Sequence, residues 1–365
     1  MASIRLMMSP DLLSIGVLMF YSIQFLRGIA ALMVVLTHIA HKGQQYGTGS
    51  LHWFHVGGNG VDLFFIISGF IMCVTTHKNN ITLLNFLINR ILRIIPLYWV
   101  LSLAALLIYL VHPQLVNSSG GKTGIFQSFF LIPDGVKFLI QNGWTLSYEF
   151  YYYLIFAAFI FLTDTKPIRY LGVSLTILVL SLSGLILQPA TPLTVFLFSD
   201  MLLEFMLGVL GFVIIRKVKL PQVSACLMIL LGLACVTYNN LYGTPDLPLG
   251  KVINSGLPMF LIFLGSLSLE PWFAAGKGQL VRAFEHIGNS SYSLYLIHPF
   301  ILSPVALVLK KVGLLSPGLF TVALLTGSVM SGLLTYRFIE MPLGRLTKKW
   351  GAKRLIKKNT AQVIS

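Results

Sequence analysis

The sequence predicts an all-α polytopic membrane protein of about ten transmembrane helices, with both termini cytoplasmic. Composition is the first observation behind this: of 365 residues, 56% are hydrophobic and only 10% charged, with mean hydropathy +0.83. Soluble domains carry about 25% charged residues, so a soluble fold is excluded. The second is length. Apolar stretches close to the ~20 residues that cross a bilayer as a helix recur along the chain, and the ~10-residue alternating segments of a membrane β-barrel are absent. The third is charge placement, taken up below.

In order, the candidate spans are 22–40, 59–76, 91–111, 143–163, 170–188, 192–215, 221–239, 251–269, 290–309 and 318–339. An even count returns both termini to one side. One set of loops, with the two termini, then carries 18 of the 26 Lys and Arg, from Arg5, Lys78, Arg90 and Arg93 to the run that begins at Arg345. The other set carries six, Lys42, Lys122, Lys137, Lys251, Lys310 and Lys311, while Arg27 and Arg337 fall inside spans. Cytoplasmic loops are the basic ones, which puts the first set inside. The net charge of +15 is therefore topological, and no nucleic-acid motif accompanies it. The longest outer loop runs over about 112–142.

Residues 1–20 form an apolar extension that contains Asp11 and no A-x-A-like cleavage site, which argues against a removable signal peptide. Met19, just before the first motif, is a candidate natural start. Residues 21–345 make one membrane domain, and 346–365 a basic cytoplasmic tail. Cys73, Cys226 and Cys235 all lie in apolar segments without a C-x-x-C pair. They read as small core residues, with neither a disulfide framework nor a metal site expected.

Ionisable residues inside spans cost about 2.5–3.5 kcal/mol each on insertion scales, so each asks for a reason. Arg27 and His38 are eleven residues apart on the first span, nearly three whole turns, so they share a face about 16 Å apart along the axis. Singly, a snorkelling arginine and a packed histidine would explain them; together on one face they suggest a polar channel. Asp62 opens the second span at the depth of His38, where a carboxylate could fix the imidazole tautomer as half of a general-base arrangement. Helix capping explains Asp62 equally well. Trp144, Glu149, Tyr152 and Tyr153 open the fourth span from outside and form a polar, aromatic face suited to a sugar; an interfacial aromatic belt accounts for Trp144 but poorly for Glu149. Arg90 and Arg93, one turn apart at the inner start of the third span, suit bidentate phosphate recognition, and also suit simple anchoring. His298 lies about 12 Å into the ninth span, beside Pro299, where packing is an even alternative. Glu204 on the sixth span has no evident partner. His41, His52 and His55 lack the ligand spacing of a zinc site.

These residues sort by side. The phosphate-suited arginines are inner; the base candidate and sugar-suited residues are outer. Serine catalysis is disfavoured, because no G-x-S-x-G elbow occurs. A transporter of a glycan or lipid-linked sugar would use the same polar residues, but its inverted repeats and paired broken helices are not evident.

Six motifs occur in order: R-x10-H at Arg27 and His38, G-N-G-V-D-L-F-F-I-I-S-G-F at 58–70, R-x-x-R-x-x-P-x-Y at 90–98, W-T-L-S-Y-E at 144–149, S-Y-S-L-Y-L-I-H at 291–298 and R-F-I-E-M-P at 337–342. Together they resemble the membrane acyltransferase-3 family, closest to its exopolysaccharide-production branch, over about 21–345. The resemblance implies ten transmembrane helices in a bacterial plasma membrane. It also implies transfer of an acyl group, usually acetyl from acetyl-CoA, to a hydroxyl of a surface glycan or lipid-linked sugar. Acyl-CoA is then a co-substrate and no bound cofactor is expected. Arg27 and His38 are implied to be essential, and Arg90 and Arg93 to hold the donor, with Tyr98 closing the same motif. Trp144, Glu149, Tyr152 and His298 fall to the acceptor side. Some relatives add a hydrolase-like soluble domain, for which this sequence has no counterpart. Residues 166–288 match no motif of the family. The expected chemistry has His38, oriented by Asp62, taking the proton of the acceptor hydroxyl.

Overall fold

A computed structural model describes residues 20–78, 81–116, 120–275 and 278–347. The N-terminal extension up to residue 19, Lys277 and the tail beyond residue 347 lie outside the described residues. Among the described residues there is no strand, only an isolated bridge between Thr123 and Lys137, and nine helices are long and apolar enough to cross a membrane. The all-α polytopic class is as the sequence predicts.

The spans are Tyr21–Gln45, Asn59–Lys78, Leu83–Val111, Gly143–Leu162, Lys166–Leu187, a sixth broken into Pro192–Leu197 and Leu202–Lys217, Gln222–Tyr242, Ser291–Lys311 and Pro317–Thr335. The segment expected over 251–269 is shorter, Val252–Ser268. It opens as a π-turn, Val252–Gly256, and continues as α-helix over Leu257–Ser268. Such π-turns are rare and gather at functional sites. A second one, Tyr336–Glu340, follows the last span.

The third span departs most from its sequence reading. It begins at Leu83, capped by the Thr82 hydroxyl, which accepts from Asn85 N. Arg90 and Arg93 therefore sit two to three turns inside a helix rather than at its start. The long loop near 112–142 is also structured, with short helices Pro113–Val116 and Ile125–Phe130.

Leucines such as Leu103, Leu107, Leu227 and Leu230 are exposed along their helices, which is what a lipid-facing surface requires. Cys226 is exposed too, and Cys235 partly so, while Cys73 is buried. Only Cys73 is the core residue the sequence reading expected of all three, because Cys226 lies on the outward face of a thinly covered helix.

Inside the bundle, small residues set the approach of the helices. A Cβ on Gly208 would stand 2.1 Å from the Ile66 carbonyl oxygen, and one on Gly69 2.1 Å from that of Phe205. The second and sixth spans thus touch backbone to backbone. The first helix has no acidic residue in its first turn. Glu270, from the short helix Glu270–Ala275, supplies that charge instead: its carboxylate accepts from Tyr21 N at 2.7 Å, from Ser22 N at 2.9 Å and from the Ser22 hydroxyl. Orphan amides at a helix start, with the positive end of the dipole, favour an anion there. This cap fixes the helix that carries Arg27 and His38.

Candidate active site

A cavity of about 340 Å³ runs between the first four spans and the Ser291–Lys311 span. On the second span it follows Thr75, Ser68, Phe64 and Val61, about 21 Å of helix. At one end it meets Gln24, Arg27, Arg90 and Arg93; at the other, Thr145 and Tyr295. Glu149 and Tyr153 line its middle.

The electrostatics of its wall are unusual for a membrane interior. Three guanidiniums face the cavity, yet among the described residues the ion pair is Lys251 with Asp62, and none involves Arg27, Arg90 or Arg93. Arg90 Nε is buried without a hydrogen bond, and its guanidinium lies 6.0 Å from the Phe86 ring centroid. Buried charges are ordinarily paired; the carboxylates facing Arg27 are Glu340 and Glu149, and neither comes within ion-pair distance of an arginine. Glu149 lines the same cavity, one carboxylate oxygen accepting from the Ser68 hydroxyl at 3.1 Å and from the Tyr153 hydroxyl.

Beyond the Tyr295 end lies a pair of histidines. His38 Nδ1 is 2.9 Å from the Val34 carbonyl and 3.4 Å from His298 Nε2, with ring centroids 4.9 Å apart. His298 Nδ1 is 2.9 Å from the Leu294 carbonyl. Each Nδ1 faces a carbonyl that can only accept, so each carries the proton and each Nε2 a lone pair. Among the described residues nothing is hydrogen-bonded to His38 Nε2, which leaves it as a free base. His298 is fully buried, and Asn142 Nδ2, which donates to the Tyr295 carbonyl at 2.8 Å, also reaches its Nε2 at 3.4 Å. Thr145 and Tyr295 exchange a hydroxyl hydrogen bond at 2.9 Å, closing the cavity beside this pair.

Several expectations are corrected. Asp62 does not orient His38: its oxygens lie 2.8 and 3.0 Å from Lys251 Nζ. The first turn of the second span points Asp62 toward the start of the Val252–Ser268 segment, away from the first helix. Glu204, without a partner in the sequence reading, is fully buried beside that pair. Tyr152 does not offer a face to a sugar, being fully buried, stacked on Phe205 at 4.5 Å and donating to the Gly69 carbonyl. Tyr98 is fully buried and its hydroxyl donates to the Ser128 carbonyl at 2.7 Å, outside the cavity. Trp144 is 39% exposed and packs on Tyr148. Glu149 joins the arginines instead of Trp144, because five residues of helix carry it inward. Arg27, Arg90, Arg93 and Glu149 are brought together; His38 and His298 form the adjoining pair. Ser68, Thr145 and Tyr295 were missed as lining residues, although all three stand inside or beside the six motifs.

The profile of the family described as an acyltransferase domain matches residues 20–337. The chain is 30% identical to the exopolysaccharide production protein ExoZ of Rhizobium meliloti (strain 1021) over 322 residues, which covers 85% of this chain and 95% of that protein. It is 24% identical to the acyltransferase MdmB of Streptomyces mycarofaciens, over 89% of this chain and 92% of that one. To the peptidoglycan O-acetyltransferase OatA of Listeria monocytogenes it is 25% identical over 88% of its length, spanning 55% of that protein. No solved structure matches. The chain belongs to the membrane acyltransferase-3 family: it is a multi-pass membrane O-acyltransferase.

Proposed function

We propose that this enzyme moves an acetyl group from acyl-CoA, taken from the cytoplasm, to a hydroxyl of a surface or lipid-linked polysaccharide. The observation that carries this reading is the arginine set Arg27, Arg90 and Arg93 at one end of a cavity whose other end is closed by Thr145 and Tyr295, with the Tyr295 ring 6.2 Å from that of His298, the neighbour of His38. Guanidinium forks suit the phosphates of coenzyme A, and the mixed lining of the second span suits its slender arm. The basic loops lie on the Arg27 side in the sequence, so the donor enters from the cytoplasmic face of a bacterial plasma membrane and both termini share that side. The names of the relatives, one in exopolysaccharide production and one in peptidoglycan O-acetylation, support a polysaccharide acceptor.

The chemistry follows from His38. Its Nε2 takes the proton of the acceptor hydroxyl as that oxygen attacks the thioester carbonyl. The C–S bond breaks, and the departing thiolate takes the proton back from the imidazolium, so the reaction is balanced without a further reagent. General-base help of this kind contributes about 10²–10⁴-fold.

The donor half of the reading is tested by equilibrium binding of acetyl-CoA to purified protein in detergent. Saturable binding that is weakened in Arg90→Ala and Arg93→Ala, and competed by free CoA, is the expected result. Binding unaffected by either substitution would move the donor elsewhere.

A further inference from the structure

We propose that His298 is the positioning residue of His38, filling the role that a carboxylate fills in other histidine bases. This rests on the acyl-transfer reading for its kinetic consequence, though not for its geometry. Three observations carry it. His298 Nε2 stands 3.4 Å from His38 Nδ1, on the side of the ring opposite the free Nε2. The proton of His298 is committed to the Leu294 carbonyl at 2.9 Å, so the nitrogen it turns to His38 holds a lone pair and can only accept. Asn142 Nδ2 donates toward that same nitrogen at 3.4 Å, which favours the His298 tautomer that keeps the lone pair on Nε2.

The arrangement does two things for His38. Val34 and His298 together offer two acceptors to Nδ1–H, so the basic lone pair is confined to Nε2. When Nε2 takes a proton, the resulting imidazolium meets the lone pair of a second imidazole, and a hydrogen bond to a charged donor shortens and strengthens. Catalytic hydrogen bonds that are long in the resting state tighten in this way as the reaction proceeds. A buried, neutral imidazole is suited to this site where an aspartate is not: a carboxylate beside His38 would need its own counter-charge in a membrane interior. Asp62, the carboxylate expected from the sequence to serve His38, already has Lys251.

The test pairs kinetics with a spectroscopic readout on wild type, His298→Ala and His298→Gln in lipid nanodiscs. Thiol release from acetyl-CoA is measured with acceptor glycan, and the His38 ring nitrogens are followed by NMR of isotope-labelled histidine. In His298→Ala, kcat falls about 100-fold with the KM for acetyl-CoA unchanged, and the His38 Nδ1 signal is displaced by loss of its second acceptor while Val34 still holds the proton on Nδ1. His298→Gln, whose amide oxygen can accept from Nδ1–H, regains at least about tenfold of the loss. Equal defects in both variants, or a defect confined to KM, would overturn the proposal. Should wild type release no thiol, the acyl-transfer reading falls and the NMR decides alone: unmoved His38 signals in His298→Ala would overturn the pairing, and displaced ones would uphold it.

Discussion

Lys251 Nζ sits 2.8 Å from one carboxylate oxygen of Asp62 and 3.0 Å from the other, joining the start of the Val252–Ser268 segment to the first turn of the second span. Asp62 is fully buried while the lysine side chain is 30% exposed. Removing one partner strands the other's charge, which typically costs about 3–5 kcal/mol, whereas replacing both with apolar or neutral groups is often close to neutral. Lys251→Ala is therefore expected to lower Tm and membrane yield sharply, and the double variant Lys251→Met with Asp62→Asn to recover most of the loss. Thermal unfolding of the three proteins in one detergent checks this.

The arginine set predicts a graded loss of donor affinity. A hydrogen bond to a charged group contributes about 1.5–3 kcal/mol. Arg90→Ala or Arg93→Ala should each weaken acetyl-CoA binding by roughly one to two orders of magnitude, and Arg→Lys should restore only part of it because the planar fork is lost. Titration calorimetry would read this directly.

The Glu270 cap predicts a purely structural effect. Glu270→Ala leaves the Tyr21 and Ser22 amides without their acceptor, a loss of about 0.5–2 kcal/mol by analogy with helix N-caps. Tm should fall modestly, with KM for acetyl-CoA little changed. A variant with normal Tm would show that the first helix holds its place without this contact.

Close packing of the second and sixth spans predicts intolerance at Gly208. A Cβ there meets backbone, the Ile66 carbonyl at 2.1 Å, and backbone cannot step aside as a side chain can. Gly208→Val should abolish folded protein in the membrane; folded, active Gly208→Val would contradict this crossing.

Tyr152 separates the sequence reading from the structure. Its hydroxyl reaches the Gly69 carbonyl at a long 3.4 Å and its ring stacks on Phe205. Tyr152→Phe is expected to keep near-wild-type turnover with every acceptor, while Tyr152→Ala should lose stability through the cavity it leaves, about 3–5 kcal/mol for a large aromatic.

Most span positions were legible in the sequence, because hydropathy is a local property; Arg27 does line the cavity, while His38 lies outside its lining, paired with His298. What was not legible depended on the turn of one helix against another. Asp62 and His38 share a depth, but the facing of the second span gives Asp62 to Lys251, a residue that hydropathy and charge placement could only assign to a loop. Glu149 was grouped with Trp144 by adjacency, yet helical rise separates them into the cavity and the surface. His298 stood in a motif without a partner, since its neighbour in space is 260 positions away in the chain.

The most direct test of the central claim is thiol release from acetyl-CoA by purified wild type and His38→Ala, with a panel of bacterial glycans as acceptors. Acceptor-dependent release by wild type, reduced at least about 100-fold in a folded His38→Ala, is the predicted result. Equal release by both proteins would contradict it, removing His38 from the chemistry.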